Sequence, residues 1–253
     1  MTFKRTSLVL LGMLILVVSV QAAENEQATD PKWTGSINAG LTATSGNTKT
    51  DSISLGINAE RRDEKTRITV GGDYAKSNAT VGVPAVDTKV EDWWRAIGKY
   101  DYFLTPVWYG FLNGRYETDS IANLDSRLVY GAGAGRQLIE SEKTNLSCEL
   151  GLAQMDEEYG TTPGTSNSEV TAQASYKLTH QLVDTVQLIH DLTYYPSINK
   201  VSDYYLTTTA ELRANFTETM FANFKVIYGR DSTPALGQGA SDTKYILGVG
   251  MGF

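Results

Sequence analysis

Val170-Thr171-Ala172-Gln173-Ala174-Ser175-Tyr176-Lys177-Leu178 alternates without a break: each even-numbered residue is apolar or aromatic, each odd-numbered one polar or charged. Successive side chains of an extended chain leave opposite faces, so this stretch reads as a strand with one apolar and one polar side. Working outward, the pattern recurs. Trp33, Ile37, Ala39, Leu41 and Ala43 oppose Ser36, Asn38, Thr42 and Thr44. Ile53, Leu55, Ile57 and Ala59 oppose Ser52, Ser54, Asn58 and Glu60, and Leu206, Ala210 and Leu212 oppose Thr207, Thr209, Glu211 and Arg213.

Continued along the chain, the alternation predicts twelve strands, near 33–45, 50–62, 66–76, 90–102, 107–118, 126–138, 145–156, 169–178, 184–195, 203–213, 220–230 and 243–253. Each has about ten residues or slightly more, the length a tilted strand needs to cross a bilayer. The connectors alternate in size. Short turns are expected at Asp63-Glu64-Lys65, Phe103–Pro106, Ile139–Thr144, Thr179–Val183 and Ala214–Thr219. Longer loops are expected at Ser77–Lys89, Asp119–Asp125, Glu157–Ser168, Pro196–Ser202 and Asp231–Asp242, with one short exception at Gly46-Asn47. Short turns at one end and long loops at the other are the layout of an up-and-down transmembrane barrel.

The aromatic residues gather at both ends of these strands. Trp33, Tyr102, Phe103, Trp108, Tyr176, Phe216, Phe221 and Phe253 fall toward the turn end. Trp93, Trp94, Tyr116, Tyr194, Tyr195, Tyr204, Tyr205, Tyr228 and Tyr245 fall toward the loop end. Two such belts are expected where amphipathic rings sit at headgroup depth.

At the N-terminus, Lys4 and Arg5 precede an apolar run from Leu8 to Val20 and the small-residue site Val20-Gln21-Ala22-Ala23, which reads as a cleaved secretory signal over residues 1–22. Residues 23–253 then form a single barrel domain. Lys4 and Arg5 removed from the 22 basic residues, the remaining 20 face 29 acidic ones, a net charge of −9 that does not favour nucleic acid, which needs a basic face. Cys148 is the single cysteine, so no intramolecular disulfide forms; its parity with Leu146, Leu150 and Leu152 puts it on the apolar face.

Two resemblances follow. Tyr245, Leu247, Val249, Met251 and Phe253 alternate up to the last residue, which resembles the C-terminal signature of bacterial outer-membrane proteins read by the barrel-assembly machinery. Gly40-Leu41-Thr42-Ala43-Thr44-Ser45-Gly46-Asn47-Thr48 is similar to the opening motif of the salt-induced outer-membrane proteins, a bacterial family whose domain has no assigned function. The similarity continues through Lys99-Tyr100-Asp101-Tyr102-Phe103-Leu104, Leu124-Asp125-Ser126-Arg127-Leu128, Gly131–Leu138 and Tyr194-Tyr195-Pro196-Ser197. It implies an outer-membrane barrel of a Gram-negative cell linked to salt or envelope stress, and carries no catalytic residue across. Outer-membrane lipid, lipopolysaccharide, the assembly machinery and small solutes or ions are the partners expected of such a protein.

The polar faces are charged. Glu60, Asp73, Arg95, Lys99, Asp101, Arg115, Glu117, Arg127, Glu149, Lys177, Asp191, Glu211, Arg213 and Lys225 are expected to point into the lumen, because a Lys or Arg facing lipid near midplane costs about 2–4 kcal/mol. Such a lumen is either a narrow, porin-like channel tuned by charges of both signs or an interior closed by ion pairs and packing. The bulky inward residues Tyr109 and Phe111 lean toward partial closure.

Two other classes are weighed. A lipid-modifying enzyme would need a base. His190 lies on the apolar face and His180 in an expected turn, but no serine stands in a nucleophile motif and Asp191 points away from His190. A soluble periplasmic β-sandwich would also alternate. Gly131-Ala132-Gly133-Ala134-Gly135 and Gly248-Val249-Gly250-Met251-Gly252 are not phosphate loops, since no Lys-Ser/Thr follows, so no cofactor is expected. Asp156-Glu157-Glu158 could hold a divalent cation at a loop mouth, although acidic loop residues are mostly just solvated.

Overall fold

The computed structural model describes residues 32–44, 48–81, 86–160 and 165–253. The signal segment and the Gly46-Asn47 connection lie outside them. Within them the chain forms twelve strands: β1 (Trp33–Thr44), β2 (Thr48–Arg62), β3 (Thr66–Val81), β4 (Val86–Phe103), β5 (Trp108–Asp119) and β6 (Leu124–Glu140), then β7 (Thr144–Tyr159), β8 (Thr165–Val183), β9 (Val186–Pro196), β10 (Tyr204–Asn215), β11 (Met220–Asp231) and β12 (Ser241–Gly252). Each pairs antiparallel with its sequence neighbours, and β12 returns to β1, so the sheet closes on itself. The sandwich reading is thereby overturned: a sandwich has two sheets with free edges, whereas here the edge strands pair with each other.

Closure rests on a short seam. Ser36↔Gly252 through Ala39↔Val249 are in register, and Gly35 and Phe253 exchange backbone hydrogen bonds of 2.9 and 3.0 Å just beyond. β1 meets β2 along its whole length, from Trp33↔Arg61 to Thr44↔Thr50.

Strand existence follows the sequence pattern, but several ends do not. β3, β4, β7 and β8 run well past the apolar band, so the expected loops Ser77–Lys89 and Glu157–Ser168 are largely paired strand, with Ser77↔Glu91, Thr80↔Asp87 and Glu158↔Ser166 in register. Polar residues there look like loop by composition, yet a hairpin that projects into water needs no apolar face to keep its backbone ladder. β8 likewise continues through Thr179–Val183, which the sequence suggested as a turn; the reversal is made by Asp184 and Thr185. His180 is therefore a strand residue paired with Thr144, whose hydroxyl lies 2.8 Å from its Nδ1.

The β2–β3 turn shows how the short end is fixed. The Asp63 carboxylate accepts bonds from the Thr66 hydroxyl and amide, both 2.6 Å, and from the Lys65 amide at 2.9 Å. These bonds, the Thr66 hydroxyl foremost, hold the Asp63 carboxyl below its ordinary range.

The glycine run of β6 has a packing role. A Cβ on Gly133 would sit 2.2 Å from the Leu150 carbonyl oxygen and 2.8 Å from the Phe111 ring. On Gly135 it would sit 2.3 Å from the ring of Tyr109, itself 1% exposed. The two rings lie directly on glycine backbone, which lets large side chains enter a narrow interior. Gly133→Val is expected to lower barrel stability by about 1–3 kcal/mol, the usual cost of overpacking, read as a lower urea midpoint of tryptophan fluorescence in lipid vesicles.

Candidate functional site: the charged lumen

Register divides the side chains into two sets. The outward set is apolar and exposed: Leu41, Leu112, Leu150 and Leu247 are 60–79% accessible, a surface that only a hydrocarbon surround makes favourable. Outward rings pair near the loop end, Trp94 with Tyr116 at 5.0 Å and Tyr194 with Tyr204 at 5.4 Å between centroids. Strand parity also corrects the two aromatic belts. Trp93, Phe103, Tyr195, Tyr205 and Phe221 are buried inside the barrel, because adjacent residues such as Trp93 and Trp94 leave opposite faces.

All fourteen charges named from the sequence lie on the inward set of the strand register. Most of them bond in three layers. Near the turn end, Arg67 donates to Asp101 at 2.6 Å, Lys99 bridges Asp101 at 2.9 Å and also Glu149, and the Tyr109 hydroxyl donates to Glu149 at 2.8 Å. In the middle, Asp73 accepts from Arg95 at 2.8 Å and Lys225 at 2.9 Å; closer to the turn end, Arg213 donates to Glu211 at 3.0 Å and to Ser36 at 3.3 Å. Near the loop end, Arg127 donates to Glu117 at 2.9 Å, to Glu157 at 2.5 Å and to Asp231, and lies 3.9 Å from the Tyr205 ring centroid. Arg115 donates to Glu117 at 2.5 Å and to the Tyr205 hydroxyl at 3.1 Å.

Many of these bonds cross the interior rather than follow the wall. β6 and β11, joined by Arg127 and Asp231, are five steps apart in the ring of twelve; so are β5 and β12, joined by Asp119 and Lys244 at 2.6 Å. Lys177 of β8 and Glu60 of β2 face each other from opposite walls at 4.0 Å. Asp191 pairs in register with Lys177 yet no Lys or Arg comes within 4.0 Å of it among the described residues.

Sequence reading missed Arg67, Asp119, Glu157, Asp231 and Lys244, all inward partners in these layers. Parity could have found Arg67, which shares the face of Asp73. Glu157 and Asp231 lay in expected loops. Glu157 also breaks the acidic triplet: it turns in to Arg127 while Asp156 turns out to Ser168 at 2.6 Å. Among the described residues no three His, Cys, Asp or Glu groups gather as a metal site.

On the outer wall, His190 sits between the Tyr176 hydroxyl, 2.9 Å from Nδ1, and the Thr208 hydroxyl, 3.3 Å from Nε2. Its rings stack with Tyr176 at 5.5 Å. Both nitrogens are thus satisfied by neighbours, which is how a lipid-facing imidazole is kept from being an orphaned polar group.

A closed sheet with an apolar exterior and an ion-paired interior defines a transmembrane β-barrel. The chain belongs to the family described as a protein of unknown function, DUF481, whose model matches residues 37–253. No match is found among curated proteins. Similar solved structures include the NanC porin (10% identity, 87% of this chain and 99% of that one, TM-score 0.49). They also include an outer-membrane channel from Pseudomonas putida F1 (11%, 92% and 98%, 0.46) and the translocator domain of the autotransporter NalP from Neisseria meningitidis (13%, 90% and 90%, 0.44).

The turn-end layer sets a stability test. Asp101 is fully buried against Arg67 and Lys99. Asp101→Ala leaves that guanidinium inside without its carboxylate and is expected to cost about 3–5 kcal/mol, measured as the shift in urea unfolding.

Proposed function

We propose that this barrel is an outer-membrane channel for small ions and solutes, narrow because ion pairs cross its lumen. The observation that carries the reading is the water-accessible part of the inward face. Asn58 and Lys177 are exposed although they point inward, and so is the apolar Ile97 further from the turns, in register with Arg115. An interior packed shut would cover an isoleucine; one that leaves it accessible holds water. The cross-lumen pairs then act as constrictions, and Asp191, which among the described residues has no Lys or Arg within 4.0 Å, stands in register beside the exposed Lys177. The long hairpins and loops face outward from the cell in this reading, with lipopolysaccharide around them. The alternating end at Phe253 serves recognition by the assembly machinery.

Single-channel recording of the refolded protein tests it. Small, stable conductance steps are expected, and Glu60→Ala combined with Lys177→Ala should enlarge them, because these two side chains approach from opposite walls. Silence from protein of native electrophoretic mobility would rule out the channel.

Export through residues 1–22 and the link to salt or osmotic stress rest on the sequence pattern and the family resemblance. Fractionating cells grown at low and high osmolarity checks both. The expected product starts at Ala23, sediments with the outer membrane and is more abundant at high osmolarity. Recovery with the soluble periplasm overturns the location; constant abundance overturns the stress link.

A further inference from the structure

The connection between β11 and β12, residues 232–240, does not stay above its own strands. Ala235 is 5% exposed and packs in one cluster with Leu124 at the start of β6 and Tyr159 at the end of β7, with Ala122 against it. In the ring of twelve, the β11–β12 connection and the β5–β6 connection that carries Ala122 are diametrically opposite. To reach them the segment must cross the mouth of the barrel.

The crossing is tethered at its root and folded into a turn at its tip. At its root, the Ser232 hydroxyl accepts from the Tyr204 amide at 2.7 Å and donates to Asp203 at 3.1 Å, and the Thr233 hydroxyl donates to Asp203 at 2.9 Å. At its tip, a turn closed by the Gln238 amide on the Ala235 carbonyl at 2.9 Å contains Gly237 at φ +83°, a backbone position that suits glycine. Leu236 beside it is 90% exposed, so the tip presents one small apolar residue to the far wall and turns the large one away.

Asp231 joins the segment to the lumen. One carboxylate oxygen accepts from the Thr233 amide at 2.9 Å, and the other accepts from Arg127 and from the Tyr159 hydroxyl, the latter at 3.4 Å. Beneath lies a cavity of about 90 Å³ lined by Trp93, Arg115, Glu117, Arg127, Tyr205 and Lys244, among others. That is room for a few water molecules between the crossing segment and the loop-end ion-pair layer.

We infer that residues 232–240 form a lid that gates the loop-end mouth of the barrel, seated by Ala235 in the Leu124–Tyr159 socket and hinged at its root, where Asp231 holds both Thr233 and Arg127. The inference rests on the channel reading above. The seat is a single small apolar side chain in a socket, and the remaining tethers lie at the root. Such an arrangement lets the tip leave the far wall while the root holds its place, as a hinged loop does. When the tip lifts, Asp231 keeps Thr233 and the barrel strands are undisturbed, because no strand pairing passes through the segment.

Three versions of the full-length protein, all in a Cys148→Ala background and refolded into planar bilayers, test it: the otherwise unchanged chain, a chain with residues 233–239 replaced by two glycines, and Ala235→Cys with Leu124→Cys. Heat-dependent electrophoretic mobility verifies folding in each. The lidless barrel is expected to show a several-fold rise in open time or conductance over the unchanged chain. The paired-cysteine barrel should fall nearly silent under oxidant and recover with reductant. Equal conductance in all three overturns the lid and leaves the channel standing. Silence of the folded lidless barrel overturns both.

Discussion

The pairing of β12 with β1 is the interaction on which the rest depends. In hydrocarbon an unpaired backbone amide or carbonyl has no water to turn to, so a sheet can span lipid only if its edges find each other. Here the join is made by Ser36–Ala39 against Gly252–Val249 and by the exchange between Gly35 and Phe253. Once the sheet is closed, strand parity becomes an inside and an outside, and the placement of every charge follows from that. Leu150 and Leu247 can be left open to lipid only because Glu149 and Lys244, one and three residues away, have a closed interior to enter.

That interior is a compromise between two costs. Charges removed from water need partners, and a barrel of twelve strands is too wide for neighbours on the wall to fill it alone. The chain answers with long side chains that meet across the lumen. Arg127 serves three carboxylates and an aromatic ring, and Asp73 serves two cations from different strands. Where the meeting is loose, as between Lys177 and Glu60, water has access; where it is tight, as between Arg67 and Asp101, the carboxylate is wholly buried. The result is a wall of fixed geometry with an interior of graded packing.

Much of this was legible from residues alone. The alternation of Val170–Leu178 or Ile53–Glu60 states both the strand and its two faces, because the period of two is imposed by the backbone. The inward position of Asp73 or Arg213 needs no more than parity. Three things were not legible. Hairpin ends such as Ser77–Val81 carry no apolar period once they leave the bilayer, so composition made them loops. The rings of Trp93 and Tyr205 stand beside outward neighbours in the sequence, and position along a strand does not distinguish its faces. And the partners of Arg127 could not be chosen, since Glu157 and Asp231 are distant in sequence and meet it only through the curvature of the closed sheet.

The cross-lumen bonds also say something about time. Arg213 and Ser36 are 177 residues apart, and Lys225 and Asp73 are 152 apart. Neither pair can form from local structure; each waits until the first and last strands share one ring. Chains dominated by such distant pairings fold slowly. Until then the inward charges must stay solvated while the outward leucines seek lipid, so the cross-lumen bonds form last. An assembling chain of this kind is a curved, half-open sheet with a wet concave face, and its final act is to exchange water for its own counter-charges.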